Sequence, residues 1–175
     1  LNDLELIRKY LKIGKWLIFG GSWGSTLALS YGINFPDNCS GFFLRGVFLG
    51  TKEEINWFLY DMKKFFPEAY SKFVNNIPLY QRKNILSWFN KELKSKEKNK
   101  YYKAASIWNE YESSCSTLRY VERKNSGEES LAIAKIEVHY FINNCFLTEN
   151  YIMDNLDKIL HLPCVIVQGR HDVIC

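Results

Sequence analysis

An α/β fold interrupted by a helical insertion is predicted for this 175-residue chain, on three observations. Short continuous apolar runs alternate with helix-spaced segments near the start, a long helical and aromatic stretch follows, and a further apolar run comes last. Alternation of this kind suits a mostly parallel sheet, because a return to a parallel strand needs a long crossover and a helix is the usual one.

The elements follow in order. LNDLELIRKYLKI (1–13) spaces Leu4, Ile7, Leu11 and Ile13 for one helical face, and Gly14 closes it. KWLIFGG is a continuous apolar run that suits a strand buried on both faces. TLALSY resumes a helical pattern until NFPDN, where Pro36 and Asp37 mark a turn. GFFLRGVFL (41–49) reads as a second buried strand. From Thr51 to about Leu160 the helical segments are EEINWFLYDMKKFF, LYQRKNILSWFNKEL, AASIWNEYESSCSTLRYV and ESLAIAKIEVHYFINNCF, with PEAY, NIP and RKNSGE between them. LPCVIVQG (162–169) returns to the strand pattern. The expected organisation is a core in two parts, 1–50 and 161–175, around a helical cap at 51–160.

Composition narrows the function classes. With 47% hydrophobic and 16% aromatic residues the chain can bury a core and is not a disordered segment. The net charge of +4 is mild, and the basic stretch KELKSKEKNKYYK (91–103) mixes its lysines with Glu92 and Glu97. That pattern suits a solvated face or loop, so no nucleic-acid partner is expected. Cys39, Cys115, Cys145, Cys164 and Cys175 are odd in number and lack a C-x-x-C pair, which suggests neither a disulfide framework nor a zinc site. A reducing, cytoplasmic location is the corresponding expectation. No apolar run approaches the ~18 residues of a membrane span, so no membrane partner is expected. Leu1 at the start and the strand-like VIC at the end suggest a piece of a longer protein.

Chemistry enters at Gly20-Gly21-Ser22-Trp23-Gly24, which fits G-x-S-x-G between an apolar run and a helix. A serine raised on a sharp strand-to-helix turn brings the residues two before and two after it together. Small residues are therefore expected at Gly20 and Gly24. Ser22 is the candidate nucleophile, and the backbone N–H of Trp23, at the helix N-terminus, is a candidate oxyanion donor. A serine needs a base, and the base an orienting acid. Asp172 follows the strand CVIVQG by the short turn GRHD and is the candidate acid. His171 is its direct neighbour, His139 lies mid-helix and His161 precedes the strand. All three read as structural or solvent-facing, so the base is expected outside these residues.

Two glutamates in the insertion stand out. Glu137 has Ile133 four residues before, Tyr140 three after and Phe141 four after, an apolar helical face. Glu112 has Trp108 four before and Cys115 three after. Inward carboxylates need a partner. A substrate amino group and a salt bridge to Arg119, Arg123 or Lys135 are both open at this point.

KWLIFGGSWGSTLALSYGINFP, LRGVFLGTKEEINWF, WNEYESSCSTL, AKIEVHYFINNCF and PCVIVQGRHDVIC lie in collinear order along nearly the whole chain. Together they resemble the proline iminopeptidases, serine peptidases of the α/β-hydrolase fold. The resemblance implies release of an N-terminal proline from peptide substrates without a metal or organic cofactor, with Ser22 as nucleophile and Asp172 as triad acid. It implies that Glu112, the acid of a W-x-x-W-E motif written here WNEYE, and Glu137 bind the substrate amine. Phe48, Phe58 and Phe141 match apolar residues around the proline ring. The chemistry is coherent, because a protonated N-terminal proline carries two N–H donors for two carboxylates. Tyr111 stands where the second tryptophan is usual, and His171 where a tyrosine is common. The Lys/Asn-rich segment is expected to be a long loop between cap helices. The family's upstream His-Gly-Gly-Pro-Gly loop and downstream histidine are not in these 175 residues, which are expected to be inactive alone. Another α/β-hydrolase acting on esters or amides, and a non-catalytic scaffold on this fold, are the alternatives.

Overall fold

The structure, a computed structural model, describes residues 1–117 and 127–175. The chain divides into two compact units. One comprises Leu1–Thr51, Leu147–Val173 and Cys175, the other Lys52–Phe146 and Ile174.

The first unit is built on three parallel strands, β1 (Trp16–Ser22), β2 (Cys39–Val47) and β3 (Cys164–Val167), in the order β1-β2-β3. Helix α2 (Trp23–Asn34) makes the crossover from β1 to β2 and is buried almost throughout from Ser25 to Ile33. Its Ala28, Leu29, Tyr31 and Ile33 pack with Cys39, Phe42 and Leu44 of β2 and with Ile152 and Ile159. Residues 147–160, grouped with the insertion by their pattern, thus belong to the sheet unit in the structure. Burial of β1 differs from the two-sided expectation, since Leu17 and Phe19 are 65% and 71% exposed. Successive strand side chains point to opposite faces, and α2 covers the one opposite to Leu17 and Phe19.

Helix α1 (Asn2–Tyr10) turns an unexpected face inward. Ile7 and Leu11 are exposed, while Glu5 is buried. The carboxylate is tolerated because it is fully bonded. Arg8 grips it with Nε at 2.8 Å and Nη2 at 2.9 Å, Asn38 donates at 3.0 Å, and the Tyr31 hydroxyl donates as well. Arg8 also donates to the carbonyls of Ile13 and Gly14, which ties the turn before β1 to the same network. The Arg8 hydrogen bonds, followed by that of Tyr31, lower the Glu5 pKa to about 2. A depressed acid stabilises the fold above its unfolded pKa, about 4.3, and loses that contribution as the pH falls toward the folded value. Glu5→Gln is therefore expected to lower the melting temperature at pH 6, and the gap from wild type to narrow steadily between pH 5 and pH 2. A gap independent of pH would show that the ionised carboxylate is not what holds α1.

The second unit is helical, with α3 (Lys52–Asn56), α4 (Pro67–Asn75), α5 (Ile85–Leu93), α6 (Lys98–Cys115) and α7 (Glu128–Ile142). Phe73, Phe89, Trp108, Tyr111, Ala134 and Val138 are among its buried residues. Helix α4 begins at PEAY, which the sequence pattern treated as a separator. Pro67 occupies the first turn, where its missing N–H costs nothing, so this proline starts a helix. The expected long lysine-rich loop is short, since Lys98 already opens α6 and only residues 94–97 separate it from α5. Among the described residues, no helix is long and apolar enough to cross a membrane.

Candidate active site

In the sheet unit, β1 ends on Ser22 and α2 starts on the next residue. Ser22 has φ 51° and ψ −120°, a left-handed conformation that costs a non-glycine residue about 1–3 kcal/mol. Neighbouring hydrogen bonds hold it there. The fully buried Ser25 hydroxyl donates to the Ser22 carbonyl at 2.6 Å and accepts from the Phe48 N–H at 2.9 Å. Thr26 donates to the Phe48 carbonyl at 2.6 Å, so the segment after β2 is pinned to the same helical turn. In the sequence, two hydroxyls in the first turn of an apolar helix are the only local signal of the roles of Ser25 and Thr26.

The two flanking glycines are not equivalent. A Cβ on Gly20 would lie 2.1 Å from the Gly24 carbonyl oxygen, whereas a Cβ on Gly24 meets nothing within 4 Å. The expected need for a small residue thus holds at Gly20 and fails at Gly24, because it is the Gly24 backbone that approaches Gly20. Gly20→Ala is expected to cost about 3 kcal/mol or more, since backbone has to shift. Gly24→Ala is expected to be neutral or to gain up to about 1 kcal/mol from helix propensity. Urea denaturation of the two variants checks the contrast; equal losses would contradict it.

The Ser22 side chain makes no capping bond to α2, and its hydroxyl lies 3.8 Å from the Cys175 thiol. Trp23 opens α2, and its ring meets that of the buried Phe48 edge-on, 5.1 Å between centroids. Asp172 follows β3 through a turn closed by its N–H to the Gly169 carbonyl. Its carboxylate accepts from Gln168 Nε2 and from the Cys175 N–H, each at 3.1 Å. Gln168 Oε1 accepts in turn from the Val47 N–H at 3.0 Å, anchoring this turn to the end of β2. Ser22 pairs in register with Val47, so Ser22 and Asp172 stand at the same carboxyl edge of the sheet. With β2 between them, two strand spacings separate β1 from β3, about 10 Å. Such edges are where open α/β sheets bind ligands. His139, His161 and His171 are exposed.

In the helical unit, α6 and α7 bring Glu112 and Glu137 close enough for one carboxylate to act on the other. Glu137 is 9% exposed, and the indole N–H of the fully buried Trp108 donates to its Oε2 at 2.7 Å. Burial first, and then the neighbouring Glu137, raise the Glu112 pKa well above the ordinary carboxylate range. An acid pair of this kind holds a proton until a cation replaces it. Lys135, one of the alternative partners, sets its ammonium over the Tyr101 ring at 5.2 Å. Arg119 and Arg123 lie outside the described residues. The buried face around Glu137 is Ser130, Ala134, Val138 and Phe141; Ile133 and Tyr140, expected there, are partly exposed. Helical offsets alone left the direction of α7 ambiguous. Phe58 and Phe141 flank Trp108, with ring centroids 5.6 Å and 5.9 Å from it. Helical spacing makes Trp108 an apolar neighbour of Glu112, whereas its bond to Glu137 joins residues 29 apart and has no local signal.

A parallel sheet that raises a strained serine between strand and buried helix, with an aspartate at the same edge, defines an α/β hydrolase. The model of the alpha/beta hydrolase fold family matches residues 1–174, and the chain belongs to that family. Within it the chain is 42% identical to the proline iminopeptidase of Arabidopsis thaliana, an alignment covering all of this chain and 48% of that protein. It is 41% identical to the probable proline iminopeptidase of Leptolyngbya boryana, covering all of this chain and 56% of the relative. Against the proline iminopeptidase of Xylella fastidiosa the identity is 36%, over 99% of this chain and 57% of the relative. The resemblance carried by the motifs is borne out. The chain spans about half the length of the curated relatives it matches.

Proposed function

We propose that the full-length protein is a serine aminopeptidase that releases N-terminal proline from peptides. The observation that carries the specificity is the Glu112–Glu137 pair, with Glu137 buried and Glu112 partly buried, beside Trp108, Phe58 and Phe141 in a chain of the α/β-hydrolase family. Two adjacent carboxylates among aromatic rings suit a secondary ammonium on an apolar five-membered ring, and the similarity to proline iminopeptidases supports the same choice.

In the proposed reaction the Ser22 hydroxyl attacks the carbonyl of the terminal proline. Its proton passes to a histidine supplied by the remainder of the protein and oriented by Asp172. The Trp23 N–H and the N-terminal end of α2 stabilise the tetrahedral oxyanion. Collapse expels the shortened peptide as an amine, which takes the proton from the imidazole. Water then hydrolyses the prolyl ester on Ser22. No cofactor enters any step.

The test compares a chromogenic proline amide, the alanine amide and an acyl ester on the full-length protein, on Ser22→Ala and on Glu137→Gln. Preference for the proline amide that depends on Glu137 supports the proposal. Equal turnover of ester and proline amide, indifferent to Glu137, would assign a general esterase or amidase instead.

A further inference from the structure

We propose that Tyr111 is the positioning residue that sets how far Phe58 reaches toward Trp108, and so how tightly a proline ring is held; this rests on the proline-peptide reading above. Phe58 belongs to a π-helical turn, Trp57–Asp61, in which the Met62 N–H bonds to the Trp57 carbonyl five residues back. Such turns are rare and frequently mark functional sites. This one sends side chains in two directions. The Tyr60 hydroxyl donates to the Lys83 carbonyl and accepts from the Ile85 N–H, both at 3.2 Å, which anchors the start of α5. Phe58 enters the aromatic cluster, with centroids 5.6 Å from Trp108, 6.1 Å from Phe141 and 5.1 Å from Tyr111.

The Phe58 carbonyl accepts a hydrogen bond of 2.8 Å from the Tyr111 hydroxyl, in a buried setting. Tyr111 is a fixed post. Its ring stacks on Phe73 at 4.1 Å and 13°, and Phe73 stacks on Phe89 at 5.0 Å and 15°, so α6, α4 and α5 all hold it. Burial pushes its phenol upward, which keeps it a neutral donor at any working pH. Tyr111 touches neither carboxylate in the hydrogen bonds of the site, although the next residue is Glu112. Its influence on the acid pair runs through Phe58, which packs against the same Trp108 that donates to Glu137. The Tyr111 hydroxyl is the donor of this bond, and a phenylalanine at 111 would keep the ring and lose the bond.

Tyr111→Phe, Phe58→Ala and the Tyr111→Phe/Phe58→Ala double variant of the full-length protein test the inference. Loss of one buried hydrogen bond is expected to raise KM for a proline amide about five- to tenfold in Tyr111→Phe. The kcat for an acyl ester stays unchanged. In the Phe58→Ala background the same change has no further effect on KM, because the hydroxyl acts through that ring. Equal effects in both backgrounds, or a lowered melting temperature with unchanged KM, would overturn the positioning role. Hydrogen exchange gives a readout independent of substrate: the Met62 amide exchanges about five- to tenfold faster in Tyr111→Phe while α7 amides do not change. If the wild type shows no preference for proline amides the functional reading fails, and the exchange result alone then decides whether Tyr111 holds Phe58. Wild-type exchange and KM in Tyr111→Phe would refute a role for the hydroxyl.

Discussion

Ser22→Ala in the full-length protein is expected to cut turnover of a proline amide by on the order of 10⁴- to 10⁶-fold, as removal of a nucleophile from a serine triad does. The expectation rests on the backbone as much as on the motif. Ser22 sits at φ 51° and ψ −120°, where a side chain is strained, and Ser25 and Thr26 keep it there through bonds to the Ser22 and Phe48 main chain. Stored strain makes a second outcome checkable. Ser22→Gly relieves about 1–3 kcal/mol of conformational cost and adds back about 0.5–1 kcal/mol of chain entropy. It should therefore be inactive and more stable than wild type by roughly 1 kcal/mol, read by urea denaturation. Turnover by Ser22→Ala within tenfold of wild type would remove this hydroxyl from the chemistry.

Glu137→Gln is expected to lower kcat/KM for the proline amide by roughly 10²- to 10⁴-fold, with ester hydrolysis little changed. The amide can still accept from the Trp108 indole, so the variant isolates the charge. Removing one partner of a buried ion pair costs about 3–5 kcal/mol, and each 1.4 kcal/mol is a factor of ten. The pair also predicts the sign of a pH effect. Glu112 is raised by burial and by Glu137, so at low pH it is protonated and cannot take an ammonium. KM for the proline amide should fall as the pH rises toward the raised Glu112 value. It should rise again once the substrate amine deprotonates, near about 8 for an α-amino group. Measured against the pH profile of an ester, which has no amine, the fall in KM at low pH should vanish in Glu112→Gln while the rise set by the substrate amine remains. A proline-amide KM that is flat with pH, or unchanged in Glu137→Gln, would mean that the acids serve the fold and not the substrate.

Much of the candidate site was legible in the sequence, part of it from spacing and part from the resemblance to the proline iminopeptidases. G-x-S-x-G between an apolar run and a helix led to Ser22, and a turn after CVIVQG led to Asp172; both stand at the carboxyl edge of the sheet. The resemblance carried by WNEYE and IEVHYF pointed to Glu112 and Glu137, which the structure places close enough for Glu137 to raise the Glu112 pKa. Less legible were the groups that hold these residues in place. Ser25, Gln168 and Trp108 act on partners 23, 121 and 29 residues away. No window of local sequence spans such distances. Helix faces were also misjudged where apolar periodicity competed with a satisfied carboxylate. In α1 the buried residue is Glu5 rather than Ile7 or Leu11, because Arg8, Tyr31 and Asn38 together meet its hydrogen-bonding needs.

Sequence alone therefore determined the α/β class and the strand-to-helix turn and nominated the candidate acids, since turn chemistry, strand runs and short motifs are written within a few neighbouring residues. Tertiary structure decided which face of each helix is buried, which glycine is sterically required and which distant donors support Ser22, Asp172 and Glu137. The physical reason is that burial and hydrogen-bond satisfaction are properties of packed neighbours, and the chain brings those neighbours together only when it folds.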